Sequence, residues 1–142
     1  MALHKIGAIV VPASFLLTKK DYVYRFESAG IKAVVCSSVG EIAEQVDLAC
    51  TEYSGVSCKF LVNKGQGRVD GWMDFTEEME ASSDKLDRMD TLATDPMLMY
   101  FSSGTTGYPK MVLHNYTYPI GHIITAKFWH NVDPDLPQPV SE

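Results

Sequence analysis

The hydrophobic positions of this chain fall into short blocks whose period switches between strand and helix. Ile6-Gly7-Ala8-Ile9-Val10-Val11 is a nearly unbroken apolar run stopped by Pro12, the pattern of a strand buried on both faces as in parallel sheets. Thr18 then reads as a helix N-cap with Asp21 at N3; Tyr22, Phe26 and Ala29 recur at helical spacing, and Gly30 ends the run. Ile31 to Cys36 predicts a second buried strand, so the order strand, helix, strand opens a βαβ-like unit. Ser38 is placed to cap a second helix in which Ile42, Val46, Ala49, Cys50 and Tyr53 share one face, making Cys50 a core residue. Lys59-Phe60-Leu61-Val62 is a third short strand, and Gly65-Gln66-Gly67 a turn with no nucleotide meaning of its own.

Further along, Trp72 to Ala81 predicts a short helix with Glu77, Glu78 and Glu80 on its solvated side, and Ser82 to Asp95 a polar connector. Pro96 to Phe101 and Met111-Val112-Leu113 are strand-like and flank a polar, glycine-rich stretch, which predicts a hairpin with that stretch at its tip. Thr117-Tyr118-Pro119 starts a last helix with proline in its first turn, its apolar stripe being Ile120, Ile123, Ile124 and Phe128, for which helix packing is the expected use. Three prolines between Asp133 and Glu142 rule out a continuing helix, so residues 133–142 read as a loop or tail after a domain of residues 1–132. A domain does not normally open so close to a fully buried strand, and Met1 is read as lying inside a larger protein. The fold class is α/β, a layered sheet with flanking helices.

Composition narrows the function. A formal net charge of −6, with no basic cluster longer than Lys19-Lys20, excludes a nucleic-acid backbone binder. No apolar run approaches the ~20 residues of a membrane span, and the N-terminal apolar run lacks a small-x-small cleavage site. Cys36, Cys50 and Cys58 show no CxxC spacing, so reduced thiols in a cytoplasmic location are expected. His114, His122 and His130 recur every eight residues without a Cys or carboxylate at ligand spacing, and read as satisfied or solvent-facing rather than as metal ligands.

The chemistry sits at the hairpin tip. Ser102, Ser103, Thr105 and Thr106 supply hydroxyl donors, Gly104 and Gly107 allow tight or left-handed backbone, and Lys110 brings a charge from beyond Pro109. A Walker loop would run into a helix; this one runs back into a strand. Any three of these residues serve turn geometry as readily as a ligand, but the nine together carry a resemblance. Ser102-Ser103-Gly104-Thr105-Thr106-Gly107-Tyr108-Pro109-Lys110 is similar to the phosphate-loop signature [ST]-[SG]-G-[ST]-T-G-x-P-K of the AMP-forming adenylating superfamily, which includes acyl-CoA synthetases, luciferases and peptide-synthetase adenylation domains. Leu3 to Ala13 resembles that family's L-x-x-G-A-x-x-x-P strand, with Thr18, Asp21 and Tyr24-Arg25 like its following helix. Met111-Val112-Leu113-His114 after the lysine, with Gly71-Trp72-Met73-Asp74 and Asp95-Pro96-Met97-Leu98, resembles the medium-chain acyl-CoA synthetase branch.

The resemblance implies part of the N-terminal domain of the adenylate-forming synthetase fold, with the phosphate loop on a β-hairpin. It implies an acid–thiol ligase using ATP, Mg2+ and CoA: a carboxylate attacks the ATP α-phosphorus to give acyl-adenylate and pyrophosphate, and CoA then displaces AMP. Ser102, Ser103, Gly104, Thr105, Thr106, Gly107 and Lys110 would hold the leaving pyrophosphate, while Tyr108 falls at the variable position. Tyr118, His122 or Phe128 are placed by the resemblance near the acyl pocket. The family's adenine, ribose, hinge and C-terminal lysine segments have no counterpart in these residues, so the isolated chain is expected not to complete adenylation and to self-associate through uncovered apolar faces. Two other readings stay open: a non-catalytic nucleotide-binding or interaction module of the same fold, and an adenylating enzyme with another acyl acceptor.

Overall fold

The computed structural model describes residues 2–63, 68–87, 89–103 and 107–129. In chain order the elements are α1 (Ala2–Lys5), α2 (Lys19–Ala29), β1 (Ala33–Ser37), α3 (Ile42–Cys50), β2 (Cys58–Val62), β3 (Met73–Asp74), α4 (Phe75–Ala81), β4 (Pro96–Ser102), β5 (Lys110–Asn115) and α5 (Tyr118–Phe128). They form two compact units, Ala13–Leu86 and Met1–Pro12 with Asp87–Glu142. The expected turn at Gly65-Gln66-Gly67 and the expected tail at residues 133–142 lie outside the described residues. No helix among the described residues is long and apolar enough to cross a membrane.

The Ala13–Leu86 unit is a three-stranded parallel sheet ordered β1-β2-β3, with Val35 opposite Phe60 and Phe60 opposite Met73. Parallel neighbours need a crossover, and α3 supplies it between β1 and β2. Helix α2 begins where the polar residues predict: the Asp21 carboxylate accepts the Thr18 amide at 3.0 Å and the Thr18 hydroxyl at 2.7 Å. It ends at Gly30, which takes the left-handed conformation. Tyr22 and Phe26 of α2, Val46 and Ala49 of α3, Leu61 and Trp72 make the core, with Ile42, Cys50 and Tyr53 packed against it as the helical face predicts.

Burial on both faces of the strands is not what forms. Val34, Cys36 and Leu61 meet the helices, whereas Val35 remains 50% exposed, because the core helices cover one face of β1 only. Helix α3 also starts later than Ser38 suggests. Gly40 takes a left-handed turn first, and Glu41 then stands at the N-cap without a side-chain bond. Likewise the helix expected from Trp72 begins at Phe75, with Trp72 in the core and Met73–Asp74 paired to β2. The Asp74 carboxylate caps this helix, accepting the Thr76 and Glu77 amides at 2.9 and 3.0 Å. Glu77, Glu78 and Glu80 are exposed, as their pattern predicts.

One polar cluster ties this unit together. The Asp47 carboxylate of α3 accepts the Lys59 ammonium of β2 at 2.5 Å and the Trp72 indole N–H at 3.0 Å, while Lys59 Nζ stands 5.0 Å from the Trp72 ring centre. A cleft of about 270 Å³ opens beside it, bounded by Cys58, Lys59, Gly71 and Trp72.

The other unit is built on the antiparallel hairpin β4–β5. The expected strand Ile6–Val11 reduces to one residue. Val10 bridges Leu98 in parallel fashion, giving its N–H to Met97 (3.1 Å) and accepting that of Met99 (2.9 Å). Helix α1 occupies the preceding residues, Gly7 then turns the chain at φ 70°, and Ile6 and Ile9 are left partly exposed. The stripe of α5 is not packed either: Ile120, Ile123, Ile124 and Phe128 are 62–74% exposed.

Two outcomes check these assignments. Asp47→Ala leaves the buried Trp72 N–H without its acceptor and is expected to cost about 1–3 kcal/mol in chemical denaturation followed by circular dichroism; Asp47→Asn, which keeps an acceptor, costs less. The Thr18 hydroxyl, then the Thr18 amide, hold the Asp21 carboxyl below its ordinary value. Its folded pKa is thus lower than its unfolded one, so its contribution is complete above about pH 4 and is lost as pH falls further. Asp21→Asn should remove that part of the acid dependence, read as the change in unfolding free energy between pH 5 and pH 3.

Candidate functional site

The hairpin decides what the loop residues can reach. Ser102 ends β4 and stands opposite Lys110, which begins β5, and the Ser102 hydroxyl donates to the Lys110 carbonyl oxygen at 3.4 Å. Ser102, Ser103, Gly107 and Lys110 are all exposed. Gly107 has φ 107°, a backbone region that side chains disfavour, and among the described residues nothing lies within 4 Å of where a Cβ would project. Glycine is therefore required there for its dihedral and not for space. The expected contributions of Gly104, Thr105 and Thr106 lie outside the described residues.

Electrostatics favour an anion at this end. From Pro96 to Asn115 the chain contains Lys110 and no Asp or Glu, and no ion pair to Lys110 forms among the described residues. Exposed hydroxyls and an ammonium group on the last opposed residue pair of a hairpin can donate to phosphate oxygens without first breaking a salt bridge. Among the described residues no group of three His, Cys, Asp or Glu is placed to hold a metal ion.

Opposed residues of an antiparallel pair share a face of the ladder. Leu98, Tyr100 and Ser102 thus lie on the same face as His114, Val112 and Lys110. On that face a series of rings runs back from the tip: Tyr100 to His114 at 5.8 Å, His114 to Tyr118 at 4.0 Å and Tyr118 to His122 at 4.4 Å between ring centres. The histidine spacing alone says only that these residues are satisfied or exposed. The signal that finds the series is the combination of strand parity at Tyr100 and His114 with helical spacing at Tyr118 and His122. His130 lies outside the described residues.

Cys36 and Cys50 are poor candidates for covalent chemistry. Burial, with Asp47 adding to it, pushes the Cys36 thiol up to about 11, and burial likewise raises Cys50, which keeps both neutral and poorly nucleophilic.

Known proteins resemble this chain over most of its length. The family model described as AMP-binding enzyme matches residues 1–139. The acyl-coenzyme A synthetase ACSM4, mitochondrial, of Rattus norvegicus is 34% identical over 130 residues, covering 91% of this chain and 22% of that protein. The acyl-coenzyme A synthetase ACSM5, mitochondrial, of Homo sapiens is 32% identical with the same coverage. Among solved structures, the anthranilate CoA ligase AuaEII in complex with anthranoyl-AMP superposes with a TM-score of 0.74 at 24% identity, over 88% of this chain and 23% of that one. The Brucella canis acyl-CoA synthetase gives 0.71 at 21%, over 88% and 22%. At those identities the structural likeness establishes the fold, a partial adenylate-forming ligase fold. The chain spans about a fifth of the length of the curated relatives it matches.

These relatives overturn the cytoplasmic location expected from the cysteines, because both are named mitochondrial. Free thiols report a reducing environment and carry no address, which is why that inference failed. With a family model matching nearly the whole chain and relatives above 30% identity, the chain belongs to the AMP-binding enzyme family.

Proposed function

We propose that this chain forms the pyrophosphate grip of an AMP-forming acid–thiol ligase. In that reaction a carboxylate oxygen bonds to the α-phosphorus of ATP, the bond from that phosphorus to the bridging oxygen breaks, and pyrophosphate leaves with the electron pair. The CoA sulfur then bonds to the acyl carbon and AMP departs. Lys110, with the Ser102 and Ser103 hydroxyls, offsets charge that grows on the leaving pyrophosphate, the electrostatic stabilisation that preorganised donors provide. Gly104, Thr105, Thr106 and Gly107 complete the loop in this reading. The observation that carries it is the pairing of Ser102 with Lys110 at the end of a hairpin whose return passes through Gly107 at φ 107°.

The acid is a medium-chain fatty acid, on the strength of Met111-Val112-Leu113-His114 following the loop lysine and of the acyl-coenzyme A synthetases among the relatives. Mg2+ would accompany ATP and neutralise its phosphates. The stretch from Pro96 to Asn115 holds no carboxylate, so any carboxylate ligand to it comes from outside that stretch. The mitochondrion, named for the relatives, is the proposed compartment.

Carboxylate-dependent exchange of pyrophosphate into ATP tests the assignment. In a longer chain carrying this segment, Lys110→Ala is expected to lower exchange by roughly 100-fold, the scale of losing one charge-stabilising donor, and the isolated 142-residue chain should show none. Undiminished exchange in Lys110→Ala, or turnover by the isolated chain, contradicts the proposal. The exposed stripe Ile120, Ile123, Ile124 and Phe128 further predicts self-association of the isolated chain. Sedimentation should show mass rising with concentration, and Ile123→Asp with Ile124→Asp should reduce it; a strict monomer at high concentration would count against this surface.

A further inference from the structure

We propose that His114 is a positioning residue for the phosphate loop: its ring, lodged between Tyr100 of β4 and Tyr118 of α5, joins helix to hairpin and so holds Ser102 opposite Lys110. This rests on the pyrophosphate-grip reading above for its ligand, but its structural half stands on geometry alone.

Two-stranded hairpins are marginal in water unless something packs on a face. Among the described residues the ring series packs on the face that carries Ser102 and Lys110. His114 lies diagonally across the ladder from Tyr100, at 5.8 Å and 75° between ring planes, and meets Tyr118 at 4.0 Å and 45°. Tyr118 is the first residue of α5, and α5 buries no residue fully. With its apolar stripe exposed, the helix is seated by Tyr118 and by the turn before it, in which Asn115 Oδ1 accepts the Thr117 amide at 3.1 Å and hydroxyl at 2.6 Å. That turn fixes where the helix starts. The His114 ring fixes which face of the hairpin the helix meets, because His114 shares a face with Lys110 and not with Met111 or Leu113.

Removing the ring separates Tyr100 from Tyr118 and uncovers the hairpin face. The ladder then loses support from His114 toward the tip, where Ser102 and Lys110 are the last opposed pair. A ring without the imidazole nitrogens should serve nearly as well, since the contacts are between ring faces and edges. This sets His114 apart from a proton-transfer or ligand-contacting group.

The test uses the 142-residue chain in wild-type, His114→Ala and His114→Phe forms, with two measurements. Amide hydrogen exchange without ligand should accelerate about tenfold or more in β4, β5 and α5 of His114→Ala, stay unchanged in α2, α3 and β2, and return close to wild type in His114→Phe. Inorganic pyrophosphate affinity should fall in His114→Ala and recover in His114→Phe. Unchanged hairpin exchange in His114→Ala overturns the proposal, as does acceleration spread equally over both units or a His114→Phe form no better than alanine. Absence of pyrophosphate binding by the wild-type chain would defeat the loop reading, and the exchange result would still decide the positioning role.

Discussion

The antiparallel register that sets Ser102 opposite Lys110 is the constraint on which the functional reading depends. A strand has a side-chain period of two, so a slip of one residue would send Lys110 to the opposite face from Ser102 and from the ring series. Several local features hold that register. Val10 pairs with the outer edge of β4, the chain has a bulge between Pro96 and Leu98, and the Asn115–Thr117 turn ends β5. At the tip, Gly107 supplies a dihedral that lets the chain return within the loop. The placement of the Lys110 side chain is thus specified by backbone pairing as much as by the residue itself.

Magnitudes explain why such a grip should be weak alone and strong in a closed site. Two unit charges at 4 Å attract by about 1 kcal/mol in bulk water and about 4 kcal/mol at the effective dielectric near a protein surface. Lys110 and both serines are exposed, so the isolated hairpin works nearer the first figure. Removing water raises the value of every donor without adding a new one, so donors that bind an anion weakly but measurably in the open can offset much more charge in a closed site. A chain of net charge −6 has little long-range attraction for an anion, so local donors must carry recognition.

What could be read from the sequence was what local chemistry dictates. Thr18, Asp21 and Gly30 bound a helix by capping and by a left-handed turn, both set within a few residues, and α2 has those ends. The strand, polar loop, strand order around Ser102 to Lys110 likewise gave the hairpin, and the nine-residue pattern gave the family. Failures came where the answer depends on distant partners. Val35 and Ile9 look like core residues because apolar runs say nothing about whether a second layer covers them. Ser38 is a good cap residue, but Gly40 turns the chain before a helix can start. Asp47, Lys59 and Trp72 come from three separate segments, and no spacing rule joins them. The loop's own middle, Gly104 to Thr106, is legible only as a motif.

Titration of inorganic pyrophosphate into the isotope-labelled 142-residue chain, followed residue by residue through amide chemical shifts, tests the central claim most directly. The account predicts saturable shifts concentrated at Ser102, Ser103, Gly107 and Lys110, abolished by raised salt. Shifts centred instead on the Lys59–Trp72 cleft, or none at the hairpin tip at any concentration, would contradict it.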